Sequence, residues 1–220
     1  GGLDHAGEGN HLFDGGSDQV QGKTRQGGAG GFDDHPSLTE GDVLRDRLVL
    51  VVRQPKSTGA TVGMGLAGSV GIWAGMNEQS LAVTLASSPS VDVELFGTPL
   101  PVLLRVSLET GGDLDSLVGS LVSAKRPYGG NVIVADGKAP GAVAIELAAH
   151  QCALFEGTGQ GEQLARTNHF VDSELSVTQG VAIESRVRMA SQERLDRVNT
   201  WLQRNHGWIG VDKALALLAD

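Results

Sequence analysis

Gly75-Met76-Asn77-Glu78-Gln79-Ser80-Leu81-Ala82-Val83 is the stretch on which the fold reading turns. Gly75 to Glu78 have turn chemistry: glycine opens unusual backbone angles, and a short polar side chain can satisfy its own backbone. Leu81 to Leu85 then reads as the strand that leaves the turn. Upstream, Leu48 to Val52 is an apolar, β-branched run expected to be a buried strand. Pro55 to Gly59 make a turn, and Ala60 to Met64 and Ser69 to Ala74 read as two further strands. This is a run of antiparallel hairpins.

Downstream the period changes from two to 3.6. Pro101 to Glu109 carries apolar residues at Leu103, Leu104, Val106 and Leu108. Asp113 is a suitable N-cap, and Leu114, Leu117, Val118, Leu121 and Val122 form one helical stripe. Pro127 and Gly129-Gly130 end that section. Strands return at Asn131 to Ala135, Ala142 to Leu147, Cys152 to Glu156 and Gln163 to Thr167. A helix over Ser191 to Leu202 follows, then another from Val211 that is still running at Asp220, so the domain is expected to be cut short there. Blocks of strands followed by blocks of helices indicate an α+β architecture, not alternating βαβ units.

Residues 1–46 differ in kind. About a third of the first 31 are Gly, with almost no apolar periodicity, so a loop-like segment is expected there and a single domain over 47–220. The net charge of −9 and the lack of any Lys/Arg cluster exclude a nucleic-acid partner. No apolar run reaches the ~20 residues a membrane-spanning helix needs. The single cysteine, Cys152, excludes an internal disulfide. The six histidines have no H-x-x-x-H or H-E-x-x-H spacing, and no metal or organic cofactor is expected. Compartment and oligomeric state stay open.

Four motifs occur in order. Gly68-Ser69-Val70-Gly71 with the Gly75–Val83 stretch resembles "PG-x-x-G…GMNE-x-GLAV". Gly97-Thr98-Pro99 with Leu103-Leu104-Arg105 and Leu108-Glu109 resembles "GTP…LLR-x-x-LE". Asn131 to Gly137 with Ala144-Ile145-Glu146 resembles "VAD-G…VE", and Arg166-Thr167-Asn168-His169-Phe170 resembles "TNHF". Together, over about residues 41 to 202, they resemble the cysteine-dependent N-terminal-nucleophile hydrolases of penicillin acyltransferase and carcinine hydrolase type, within the choloylglycine hydrolase-like superfamily.

The resemblance implies a four-layer αββα sandwich, incomplete here at both ends. It implies an amidohydrolase or acyltransferase that acts on amide bonds of a small-molecule amide or acyl substrate. A cysteine at the mature N-terminus would attack, with its own α-amine, of pKa about 7.7–8.0, as the base. The alternative is a non-catalytic small-molecule-binding protein on the same sandwich. By the resemblance, the Asn168 amide donates to the oxyanion. An Arg in an S-x-x-R pattern tunes the thiolate. Ser191-Gln192-Glu193-Arg194 fits, as does Ser185-Arg186-Val187-Arg188, and Arg194 is preferred over Arg188.

An Asp in a "GR-x-FD" segment is also implied. Asp33 lies at about the right distance but lacks the Arg, and Asp14 is the alternative, farther upstream. Ser87 stands where bile-salt hydrolase relatives carry Asn, and Ser80 replaces a Gly at a turn position that favours positive φ. Asn77 is read as structural. Cys152 is read as a buried thiol on an interior strand, with no free α-amine, so the nucleophile is expected to lie upstream of Gly1 and this chain alone to be inactive.

Overall fold

A computed structural model describes residues 47–157, 163–180 and 184–219. Seven strands join one antiparallel sheet in chain order: β1 (Leu48–Arg53), β2 (Thr61–Leu66), β3 (Ala74–Asn77), β4 (Leu81–Ser87), β5 (Gly130–Asp136), β6 (Gly141–Leu147) and β7 (Cys152–Gly157). Five helices accompany them among the described residues: α1 (Leu100–Thr110), α2 (Leu114–Ser123), α3 (Ser173–Gln179), α4 (Ser185–Arg204) and α5 (Val211–Ala219). No helix among the described residues is long and apolar enough to cross a membrane.

The core lies between one sheet face and the α1–α2 pair. Leu81 and Val83 of β4, Val132 and Val134 of β5, and Val143 and Ile145 of β6 meet Leu100, Leu104 and Leu108 of α1 and Leu117 and Leu121 of α2. The register explains the alternation: Val83 faces Val134, and Val134 faces Val143, so each strand sends the same parity to the helices. Gly75 lets α1 come close, because a Cβ there would sit 2.7 Å from the Val62 carbonyl and 3.1 Å from Leu108. Asp113 caps α2 as read: its side chain accepts from the Ser116 backbone N–H at 2.8 Å, and Ser116 Oγ in turn accepts from the Asp113 N–H, closing a capping box.

The central hairpin sits slightly off its reading. Gly75, Met76 and Asn77 belong to β3, and the turn comes after them. Asn77 Oδ1 accepts from Gln79 N and Leu81 N, both at 3.0 Å, and Nδ2 donates to the Leu108 and Gly111 carbonyls. It therefore ties the turn to the C-terminus of α1, a structural role. Ser80 has φ of +66°, so this position takes the left-handed conformation with a side chain in place.

Four readings are corrected. Ser69 to Ala74 is not a strand; the chain bends there, and β3 begins at Ala74. β1 is an edge strand with Leu50 and Val52 exposed, not a buried one. Gln163 to Thr167 forms no strand; side chains of the sheet, not a neighbouring strand, hold that segment. Cys152 is exposed on the opposite edge strand β7. Two helical details also differ: α3 was not foreseen, and α4 begins at Ser185, earlier than Ser191.

Candidate active site

Two polar residues stand side by side in strands whose interiors are otherwise apolar. Asn131 of β5 and Glu146 of β6 are register partners, so their side chains leave the same sheet face, opposite α1 and α2. Both are buried. Asn131 Nδ2 donates to the Thr167 carbonyl at 2.6 Å and the His169 carbonyl at 2.7 Å. The Glu146 carboxylate accepts from Arg166 Nε at 2.8 Å, from Val171 N at 3.0 and 3.1 Å, and from Asp172 N at 3.0 Å. A fully buried carboxylate persists because its oxygens are filled by one guanidinium and two backbone donors. The Arg166 guanidinium also lies 4.1 Å above the Phe155 ring.

These contacts hold residues 166–172 across the sheet as a taut, non-repetitive segment. Gln179 at the end of α3 accepts from Phe170 N at 2.8 Å, and Phe170 packs with Leu175 and Ala148 in a second small core. Asp172 caps α3 through the Glu174 and Leu175 N–H groups.

The long helix α4 is docked onto the same segment through Ser191, which is fully buried. Ser191 Oγ lies 2.8 Å from His169 Nδ1 and 3.0 Å from Thr167 Oγ1, and Thr167 Oγ1 donates to the Ser191 carbonyl at 3.0 Å. Burial, with Arg188, Arg166 and Arg194 nearby, pushes the His169 ring below the usual histidine range, so it serves as a neutral acceptor or donor here. Three residues further along α4, about one turn, Arg194 Nη2 donates to Asn168 Oδ1 at 3.1 Å. The S-x-x-R spacing thus has a physical reason: the serine seats the helix, and the arginine one turn on reaches the segment's half-buried amide.

Asn168 is held from both ends. Its Nδ2 donates to the Ser87 carbonyl at 2.9 Å while its Oδ1 accepts from Arg194. A carbonyl at one end and a guanidinium at the other leave only one consistent orientation of the amide. One hydrogen of Nδ2 is used by Ser87, and among the described residues the second is left for another acceptor. Ser87, at the end of β4, therefore contributes its backbone oxygen to the arrangement.

The structure brings Asn168 and Arg194 together. Arg188, the other arginine considered, acts electrostatically on His169 and helps to keep its ring neutral. Asp33 and Asp14 lie outside the described residues. Cys152 lies on the edge strand β7, whereas Asn168 meets Ser87 at the end of the central strand β4. The supports that the sequence reading did not assign are Asn131, Glu146 and Ser191. The signal available for the first two was a polar residue inside an apolar strand, which must find a partner once buried.

Comparison with solved structures shows the fold class. The N-acylethanolamine-hydrolyzing acid amidase ortholog of Caenorhabditis elegans superposes with a TM-score of 0.51 at 16% identity, over 84% of this chain and 77% of that one. A mutant of the conjugated bile acid hydrolase of Clostridium perfringens gives a TM-score of 0.47 at 12% identity, over 79% and 70% of the two chains. No curated protein sequence matches. The fold is α+β, of the N-terminal-nucleophile hydrolase type, and the described residues supply one sheet and the helical layer on it. The model of one family, acyl-coenzyme A:6-aminopenicillanic acid acyl-transferase, matches residues 39–220, and the chain belongs to that family. Amide hydrolysis or acyl transfer is the general class of activity that membership supports.

Proposed function

We propose that this protein transfers or hydrolyses the acyl group of a small-molecule amide through a cysteine with a free α-amine, at the Asn168–Arg194 pair. The thiol in this reading is not Cys152, which lies within the chain and has no free amine. It comes from outside the 220 residues. The observation that carries the proposal is the amide of Asn168, fixed by Ser87 and Arg194 with one hydrogen unspent among the described residues.

In this reading, attack of the thiolate on the amide carbonyl places negative charge on its oxygen, and the second Nδ2 hydrogen of Asn168 receives it. Arg194 polarises that amide through Oδ1 and favours a neighbouring thiolate. Asp33 would support the thiol. Collapse of the intermediate expels the amine and leaves an acyl-thioester, which water or a second amine then resolves. The reading needs no metal or organic cofactor. The test is release of fatty acid or amine from N-acyl amino acids by the protein with its upstream sequence, beside the same protein with the nucleophile changed from Cys to Ala. Release that depends on that thiol supports the reading, and equal release from both removes it.

A further inference from the structure

The segment 88–98 between β4 and α1 reverses the usual surface pattern. Its large apolar side chains Val91, Val93, Leu95 and Phe96 are exposed, while Asp92 is turned inward against the β6–β7 turn. His150 meets it there. The His150 backbone N–H donates to Asp92 Oδ2 at 3.0 Å, and the ring Nδ1 lies 2.6 Å from Asp92 Oδ1. The other ring nitrogen, Nε2, lies 3.4 Å from Glu94 Oε2.

The geometry favours the protonated ring. A neutral imidazole has one N–H, so one of its nitrogens would present a lone pair to a carboxylate oxygen. Only the imidazolium donates to both. We propose that His150 is a pH-operated clasp: its charged ring fastens residues 88–98 to the β6–β7 turn through Asp92 and Glu94, and its neutral form lets that segment go.

The surrounding charges agree with this assignment. Asp92 and Glu94 face the ring from the segment. Lys125 and Arg126, beyond α2, line the same cavity of about 360 Å³ with Glu94, Phe96 and His150. Arg126 is buried and directs its donors to the carbonyls of Leu121, Val122, Ala124, Ala148 and Gln151, so it closes the C-terminus of α2 and the β6–β7 turn. It interacts electrostatically with Asp92.

Hydrogen bonding to Asp92, then to Glu94, raises the His150 pKa above its ordinary value of 6.5. Burial would raise the Asp92 carboxyl, but its bonds from His150 outweigh burial and hold it low. Backbone donors from Leu95 and Phe96, with His150, hold Glu94 low as well. A raised folded-state histidine contributes fully below its unfolded pKa and stops contributing as pH rises through the folded value. The clasp is therefore closed at mildly acid pH and opens on the alkaline side.

Opening has a reach beyond the loop. The segment begins one residue after Ser87, whose carbonyl holds the Asn168 amide. That consequence rests on the site reading above; the clasp itself does not.

Hydrogen exchange tests it on the chain as it stands, from about pH 5.5 to about pH 8.5, with rates corrected for intrinsic pH dependence. The reporters are the bonded amides of Val91, Glu94 and Thr98, with β5 amides as internal reference. In the unaltered protein, protection of the segment falls with pH by up to about tenfold per unit above the His150 pKa, while β5 protection stays level. In His150→Gln the segment's protection is low and flat. Should that variant lose β5 protection too, Asp92→Asn carries the test, with the same flattening expected. A level profile in the unaltered protein, or an unchanged slope in the folded variant, overturns the proposal. Loss of activity on changing Asn168, with the slope intact, separates the fate of the site from that of the clasp.

Discussion

One sheet face carries two contrasting halves. Over β5 to β7 it bears Asn131, Glu146 and Phe155, and residues 163–180 cover it with a dense polar network. Over β1 to β3 the same face presents Leu50, Val52, Met64 and Met76, all exposed. The pairing is regular throughout, with Leu50 opposite Met64 and Asn131 opposite Glu146, so the difference lies in what each half meets and not in how it is built. The candidate site stands at the rim of the covered half, where Ser87 of β4 meets Asn168. A covered polar half can fix an amide to within a hydrogen bond, whereas the apolar half, among the described residues, meets no such polar segment.

The covered half should be the costly one to disturb. Glu146→Ala leaves Arg166 and two backbone donors without their acceptor, and is expected to destabilise the chain by about 3–5 kcal/mol in denaturant titration. Glu146→Gln should lose less, because it keeps an acceptor oxygen. If Glu146→Ala proves neutral, the network is not what holds the segment. On the bare half, Leu50→Ser and Met64→Gln should each stay within about 0.5 kcal/mol of the unaltered chain. A large loss there would show that this half is covered too.

Smaller effects sharpen the contrast. Asp113→Ala removes the α2 cap and should cost about 1 kcal/mol, away from either half. Ser80→Gly relieves a left-handed conformation and should raise stability by up to about 1 kcal/mol. His169 should act with opposite sign to His150. Its ring is kept neutral in the folded state, so stability is whole above the ordinary histidine pKa of 6.5 and declines as pH falls from there toward the depressed value. Melting temperatures of the unaltered chain and of a His169→Gln variant at mildly acid pH check this.

Much of the fold was legible where periodicity and capping agree. β4 to β6 and the capped α2 follow from alternation, a 3.6 period and one aspartate. The errors fell where long-range pairing decides. Leu48 to Val52 and Cys152 have strand composition, but only the sheet order makes their strands edges. Gln163 to Thr167 is too short for periodicity to tell a strand from an extended segment held by side chains. Its Thr167 carbonyl is instead taken by the Asn131 side chain, a partner 36 residues away. α3, at seven residues, is too short for its period to stand out, although Asp172 was available as its cap.

Asn168 and Arg194 were legible only through motif resemblance. Their meeting depends on Ser191 seating α4 against Thr167 and His169, a contact no local pattern announces. The buried Glu146 was visible as a letter in a motif. Its task of gathering Arg166, Val171 and Asp172 was not.

The most direct measurement is steady-state kinetics of Asn168→Ala on an N-acyl amino acid, in the protein carrying its nucleophile, with unfolding followed in parallel. A donor that acts only as charge develops should, when removed, lower kcat by about 10²–10³-fold, with KM within a few-fold and stability nearly unchanged. An unaltered kcat in a folded variant would contradict the account at its centre.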